Sequence, residues 1–241
     1  MLKTFTIPGI DWLDTVALVW FLVLWIGYTQ YADWRAYKTV SLSSRMGRWR
    51  REWMTQMALR ENRMADVQVL INLARSAQFF ASTSMLILGA LIALLGYTEK
   101  AVDVVAELPF TRAGSARLWE IKILLLLLVF VYAFFKFSWC IRQYGFASIM
   151  IGATPQAKDV CDEDKAHLER TTRVLDFSAG NYNNGLRAYY FGVSALGWFL
   201  HPLLMMAGVV IVIGVLWHRE FRSGTLDVLA QTSQGEILPP R

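Results

Sequence analysis

Two short segments carry the same polar residues at the same spacing. NLARSAQFFAS runs from Asn72 to Ser82 and NGLRAYYFGVS from Asn184 to Ser194, and both read N-x-x-R-x-x-x-F-x-x-S. An Asn and an Arg three residues apart share one helix face. Near a helix start, where the backbone adds partial positive charge, such a pair suits an anion or a lipid phosphate. Snorkelling of an interfacial arginine toward headgroups accounts for Arg75 and Arg187 as well. At about 100° per residue, Asn72, Arg75, Ser76, Gln78, Ser82 and Thr83 cover a sector of roughly 160°. So polar a face belongs against a wet path or neighbouring helices, not against lipid. Ala77, Ala81, Gly89 and Ala93 recur at multiples of four on the same stretch and favour close helix contact.

Other chemistry is sparse. Arg45, Arg48, Arg50 and Arg51, interleaved with Trp49 and Trp53, form a basic aromatic cluster suited to anionic headgroups at an inner leaflet. Nucleic acid is not the expected partner; the net charge of +5 has this same topological origin. His201 precedes Pro202 and is a candidate axial ligand or proton relay, but His218 lies roughly 25 Å further along a helix and His167 is cytoplasmic. No haem, metal or other cofactor is expected. Cys140 and Cys161 lack a histidine pair and fall on the reducing side, so neither a disulfide nor a metal centre is expected. Lys122 and Lys136 lie close enough to the ends of an apolar run to snorkel. No phosphate loop, HExxH, nucleophile elbow or acid-base pair is present, and no enzyme is expected.

The elements that must position these residues are membrane helices. Of 241 residues, 55% are hydrophobic and 18% charged, with a mean hydropathy of +0.36. Soluble domains run at about 45–50% and about 25%. Four segments have the length that a bilayer core demands, about 12–31, 77–97, 119–140 and 188–217. The last, about 45 Å if straight, must tilt, kink at Pro202 or protrude. The first carries acids at Asp11 and Asp14 and no cleavage site, so it reads as a retained span and not a signal peptide.

Fifteen Lys and Arg fall in the loops after the first and third spans and seven on the other side. By the positive-inside rule both loops are cytoplasmic and both termini lie outside, in the periplasm if the membrane is a bacterial inner membrane. Apolar positions from Trp49 to Ala74 recur at helical spacing, and with no Pro or Gly between Arg48 and the second span the simplest reading is one helix from about Arg48 to Tyr97; the alternative breaks it into an interfacial helix and a span. Cytoplasmic helical segments are thus expected at about 45–75 and 160–180. Residues 1–221 form the membrane domain and 222–241 a mobile outer tail.

The fold class is all-α: four spans with long cytoplasmic helical extensions. The matched segments suggest a parallel internal repeat of two hairpins; chance agreement among common residues is the other reading. The stretch from Ser41 to Ser84, with RQYGFASIMIGATP and DFSAGNYNNGLRAYYFGVSALGWFLHP, resembles an uncharacterised bacterial and plant membrane-protein family, domain of unknown function 599. That resemblance implies a multi-span membrane protein and carries no activity or ligand. The residues themselves point to a homo-oligomeric channel- or transporter-like assembly lined by the polar face of the second span, with the fourth span and its Asn184 and Arg187 as a further candidate lining, flanked by anionic lipid. The alternative is a non-conducting structural or accessory protein that binds lipid or another membrane complex.

Overall fold

The computed structural model describes residues 11–98, 115–156 and 164–230. Most of the loop between the second and third expected spans, Cys161 and residues 231–241 lie outside these. The elements are α1 (Trp12–Lys38), α2 (Leu42–Ala58), α3 (Met64–Leu95), α4 (Ala116–Gly152), α5 (Asp164–Leu196), a 3-10 turn (Gly197–Phe199), α6 (Pro202–Phe221) and α7 (Gly224–Ala230). No strand occurs among the described residues. Four helical stretches are long and apolar enough to cross a membrane: Trp12–Ala36, Met64–Leu95, Ala116–Gly152 and Pro202–Leu229.

Two compact units make up the chain, one from Met1–Tyr31, Thr83–Ala133 and Leu186–Leu216, the other from Ala32–Ser82, Phe134–Gly185 and Trp217–Arg241. In the first, α5 touches four other helices and leaves Tyr190, Val193 and Leu196 exposed. Phe191 packs edge-on to Phe21 of α1 with centroids 6.0 Å apart, Tyr189 packs on Phe130 of α4 at 5.2 Å, and its hydroxyl is 2.9 Å from Ser84 Oγ of α3. Against α6, a Cβ on Gly197 would stand 3.2 Å from Leu204 backbone, and one on Gly208 3.3 Å from Ser194 Cβ. These paired approaches, 197 with 204 and 194 with 208, make α5 and α6 an antiparallel hairpin.

In the second unit Phe80 of α3 stacks on Phe137 of α4 at 5.2 Å, and both meet Tyr182 of α5. A Cβ on Gly185 would fall 2.6 Å from Phe137 Cζ, so only glycine admits that ring. Helix α2 starts at a capping box: Ser44 N–H donates to Ser41 Oγ at 3.1 Å and Ser41 N–H to Ser44 Oγ at 3.0 Å. Its inner face buries Met54, Met57 and Ala58.

Several expectations are corrected. The single helix from Arg48 to Tyr97 is two helices, broken at Leu59–Arg63. Without Pro or Gly, the break is held by side chains: Asn62 Oδ1 accepts Met64 N–H at 2.9 Å, and Arg63 donates to Thr154 O at 2.6 Å and to Pro155 O. The fourth span, 188–217, is also two pieces. Leu200 and His201 N–H close on Gly197 O, and Pro202, which has no N–H and a ring that clashes with the preceding turn, starts a new helix. The chain turns back there. At one end of α1, Trp198 beside α6's start bonds Asp14; at the other, Arg35 lies 5.1 Å over the ring of Phe221 at α6's end. Part of the expected mobile tail is helix α7, which packs on α2.

Candidate functional site

The first matched segment lies on an outward face of α3. Asn72, Arg75, Ser76, Gln78 and Ser82 are exposed and Thr83 is half-buried. Local bonds serve two of them: Gln68 Nε2 donates to Asn72 Oδ1 at 3.2 Å and Ser76 Oγ to Asn72 O at 3.3 Å. Taken along the helix, Asn72, Phe79, Leu86 and Ala93 recur every seven residues, and Arg75, Ser82 and Gly89 do the same three residues on. All seven are exposed, Phe79 at 66% and Leu86 at 75%. This is the a/d pattern of a helix seam, exposed along its length among the described residues. Ala77 and Ala81 turn the other way and are buried, whereas Gly89 and Ala93 are exposed. A step of four residues drifts by about 40° each time, so the small residues serve two faces and not one stripe.

The second segment lies inside. Arg187 is 6% exposed, and Asn184, half-buried, donates to Asp33 Oδ2 of α1 at 3.4 Å. Next to it on α5, Asn181 joins two partners on α4: Lys136 Nζ donates to its Oδ1 at 3.2 Å, and its amide donates to Gln143 Oε1 at 2.9 Å. Lys136 is therefore directed to α5, not to headgroups.

A third constellation was not read from sequence. Asp14 and Lys122 are 3% and 5% exposed. Trp198 Nε1 donates to Asp14 Oδ1 at 2.7 Å, and Lys122 Nζ sits 5.6 Å from the Trp198 ring centroid and 5.9 Å from that of Phe199, within reach of the Asp14 charge. Lys122 is thus enclosed by aromatic faces and an acid instead of snorkelling. The only signal for it was an acid placed within the first turn of an apolar helix. His201, the candidate ligand, caps α6: its Nδ1 accepts Leu203 N–H at 3.2 Å.

The four arginines do not form one headgroup surface. Arg50 Nε binds Asp176 at 2.7 Å, Arg45 is buried, Arg48 is half-buried and Arg51 is exposed beside Trp49. Burial, and then the charge of Arg48, hold the Arg45 guanidinium below its ordinary value. Cys140 is buried, and the described residues hold no cluster of metal-ligating side chains.

Among known families, that of proteins of unknown function catalogued as DUF599 matches residues 16–225. The chain belongs to DUF599. That match spans the described helices from α1 into α7, including both Asn-Arg segments, the Asn181 network and Lys122. No curated protein and no solved structure matches this DUF599 chain.

Proposed function

We propose that this protein is a multi-pass plasma-membrane protein of a bacterium that assembles with copies of itself through α3, the joined α3 helices forming the wall of a channel or transport pathway. The observation that carries the proposal is the exposed heptad stripe from Asn72 to Ala93. Its amides, hydroxyls and guanidinium are costly against lipid, and its Ser82 and Gly89 allow close approach. Its natural cover is a second copy, because copies inserted in one orientation present the same register to one another. We assign it no reaction, no cofactor and no nucleic-acid partner; Arg51, Arg48 and Trp49 remain the surface suited to anionic lipid.

The turn between α5 and α6 supports a five-crossing arrangement with Trp12 outside and the chain beyond Phe221 inside. Helix α5 is too polar to be recognised as a span, yet a helix packed against α1, α3, α4 and α6 has little need to face lipid. Moving Arg219, Arg222 and Arg241 to the inner side changes the loop bias from fifteen against seven to eighteen against four, which is the direction the positive-inside rule favours.

The experiment is thiol cross-linking in native membranes, with Gly89→Cys in a Cys161→Ser background and Val23→Cys, exposed on α1, as a control. A covalent dimer at Gly89 alone supports the α3 seam; equal or absent cross-linking at both sites overturns it. Phe79 and Leu86 on the stripe also favour a second reading, a sealed and non-conducting assembly. Ion flux from reconstituted protein, altered by Arg75→Ala or Thr83→Leu, separates the two, since a sealed seam passes nothing.

A further inference from the structure

We infer that the level of Arg75 in the assembled α3 helices is an oxyanion site, which rests on the self-association proposed above. Arg75 is exposed and has no hydrogen bond or ion pair within its own chain among the described residues. Around it on α3, Gln68, Asn72, Ser76 and Gln78 are exposed and neutral. The nearest acid on the helix, Asp66, is turned inward, 1% exposed and bound by Trp53 Nε1 at 2.7 Å and Arg60 at 2.6 Å. The arc therefore offers one cation, several amide and hydroxyl donors and no carboxylate.

Joining α3 to its copies brings identical residues to the same level, so each Arg75 meets another guanidinium. Two like charges a few ångströms apart in a partly dry interface repel strongly enough to weaken association by about tenfold or more. The positive-positive contact becomes favourable when an anion sits between the guanidiniums, and their planar forks match the paired oxygens of a phosphate. Asn72, one turn toward the helix start, adds a neutral amide donor to the same ligand. The class is a phosphate oxyanion, either inorganic or the phosphodiester of an anionic lipid.

The test uses full-length Gly89→Cys, Cys161→Ser protein, freed of lipid in a neutral maltoside detergent and low-salt zwitterionic buffer, with dimer cross-linking as the readout. Inorganic phosphate, phosphatidylglycerol and chloride at matched ionic strength are added separately. The inference expects cross-linking to rise about tenfold with phosphate or with phosphatidylglycerol, not with chloride. Phosphate alone identifies a free anion as the source, and phosphatidylglycerol alone a lipid. Arg75→Gln is expected to cross-link without any addition, because the repulsion has gone, and Arg75→Lys to keep the requirement. Cross-linking that is strong without an anion, or that rises equally with chloride, overturns the site while leaving self-association intact. No cross-linking under any condition, with Arg75→Gln also monomeric, overturns the self-association and the site with it.

Discussion

The Asn72–Ser82 and Asn184–Ser194 segments have the same pattern of residues and opposite surroundings. Phe79 is 66% exposed where its counterpart Phe191 is fully buried. Ser82 is exposed where Ser194 is buried, its Oγ donating to Phe191 O at 2.7 Å. The difference lies in residues the pattern does not include. Helix α5 has Gly185 and Gly192, and the rings of Phe137 and Phe130 press so close that a Cβ would stand 2.6 Å and 3.1 Å away. At the same places α3 has Leu73 and Phe80. Glycine lets the α4 rings lie against the α5 backbone, and that segment is buried; α3 meets α4 through the Phe80 ring and leaves its polar arc exposed. Matching residues at matching positions therefore does not establish matching roles.

The comparison can be broken most forcefully at the phenylalanines. Phe191→Ala is expected to cost about 3–5 kcal/mol of stability and Phe79→Ala under about 1 kcal/mol, because only the first empties a packed site. Chemical unfolding in detergent measures both, and similar losses would mean that α3 and α5 are equally enclosed. Next are the glycines. Gly185→Ala is expected to lose about 1–3 kcal/mol through overpacking against Phe137. Gly89→Ala, with nothing within 4 Å of the new Cβ, should stay within about 0.5 kcal/mol. Thermal melting distinguishes them, and a destabilised Gly89→Ala protomer would place a neighbour where the single chain has none.

Breaking the tie at the α5–α6 turn has an intermediate effect. Trp198→Phe leaves Asp14 buried without its indole donor, at about 1–3 kcal/mol, whereas Arg75→Gln leaves melting of the protomer unchanged. The smallest effect sharpens the comparison further. Ser84→Ala and Tyr189→Phe should each cost about 1 kcal/mol and together little more than one alone, since they share a hydrogen bond. Additive losses in the double-mutant cycle would remove α3 from direct contact with Tyr189.

Helices α1, α3 and α4 were legible because each holds an apolar run longer than a bilayer core. The outward polar sector of α3 was legible too, because helical periodicity alone groups Asn72, Arg75, Ser76, Gln78 and Ser82. The break between α2 and α3 was not, since it depends on Arg63 reaching Thr154 and Pro155, some ninety residues away and invisible to any local window. Pro202 was noticed and its effect misjudged: a kink and a reversal begin with the same missing N–H, and the packing of Gly197 and Gly208 decides between them. Helix α5 was hidden for a related reason. Its polar composition argues against a span until its neighbours are known. Asp14 and Lys122 are 108 positions apart and share no pattern, so no spacing rule joins them.

The partners of α5, which lie both before and after it in the sequence, also set an order of construction. In the first unit these partners extend from Phe21 of α1 to Gly208 of α6, and the turn that follows α5 ties Trp198 to Asp14 across 184 positions. A helix this polar gains little from entering lipid alone, so while the ribosome is still adding α6 it has only part of its shelter. The contacts that α1, α3 and α4 make with α5 therefore form only after α5 itself has been made. A chain stopped near Leu200 would retain most of its apolar sequence and still lack the piece that seals α5 from its surroundings.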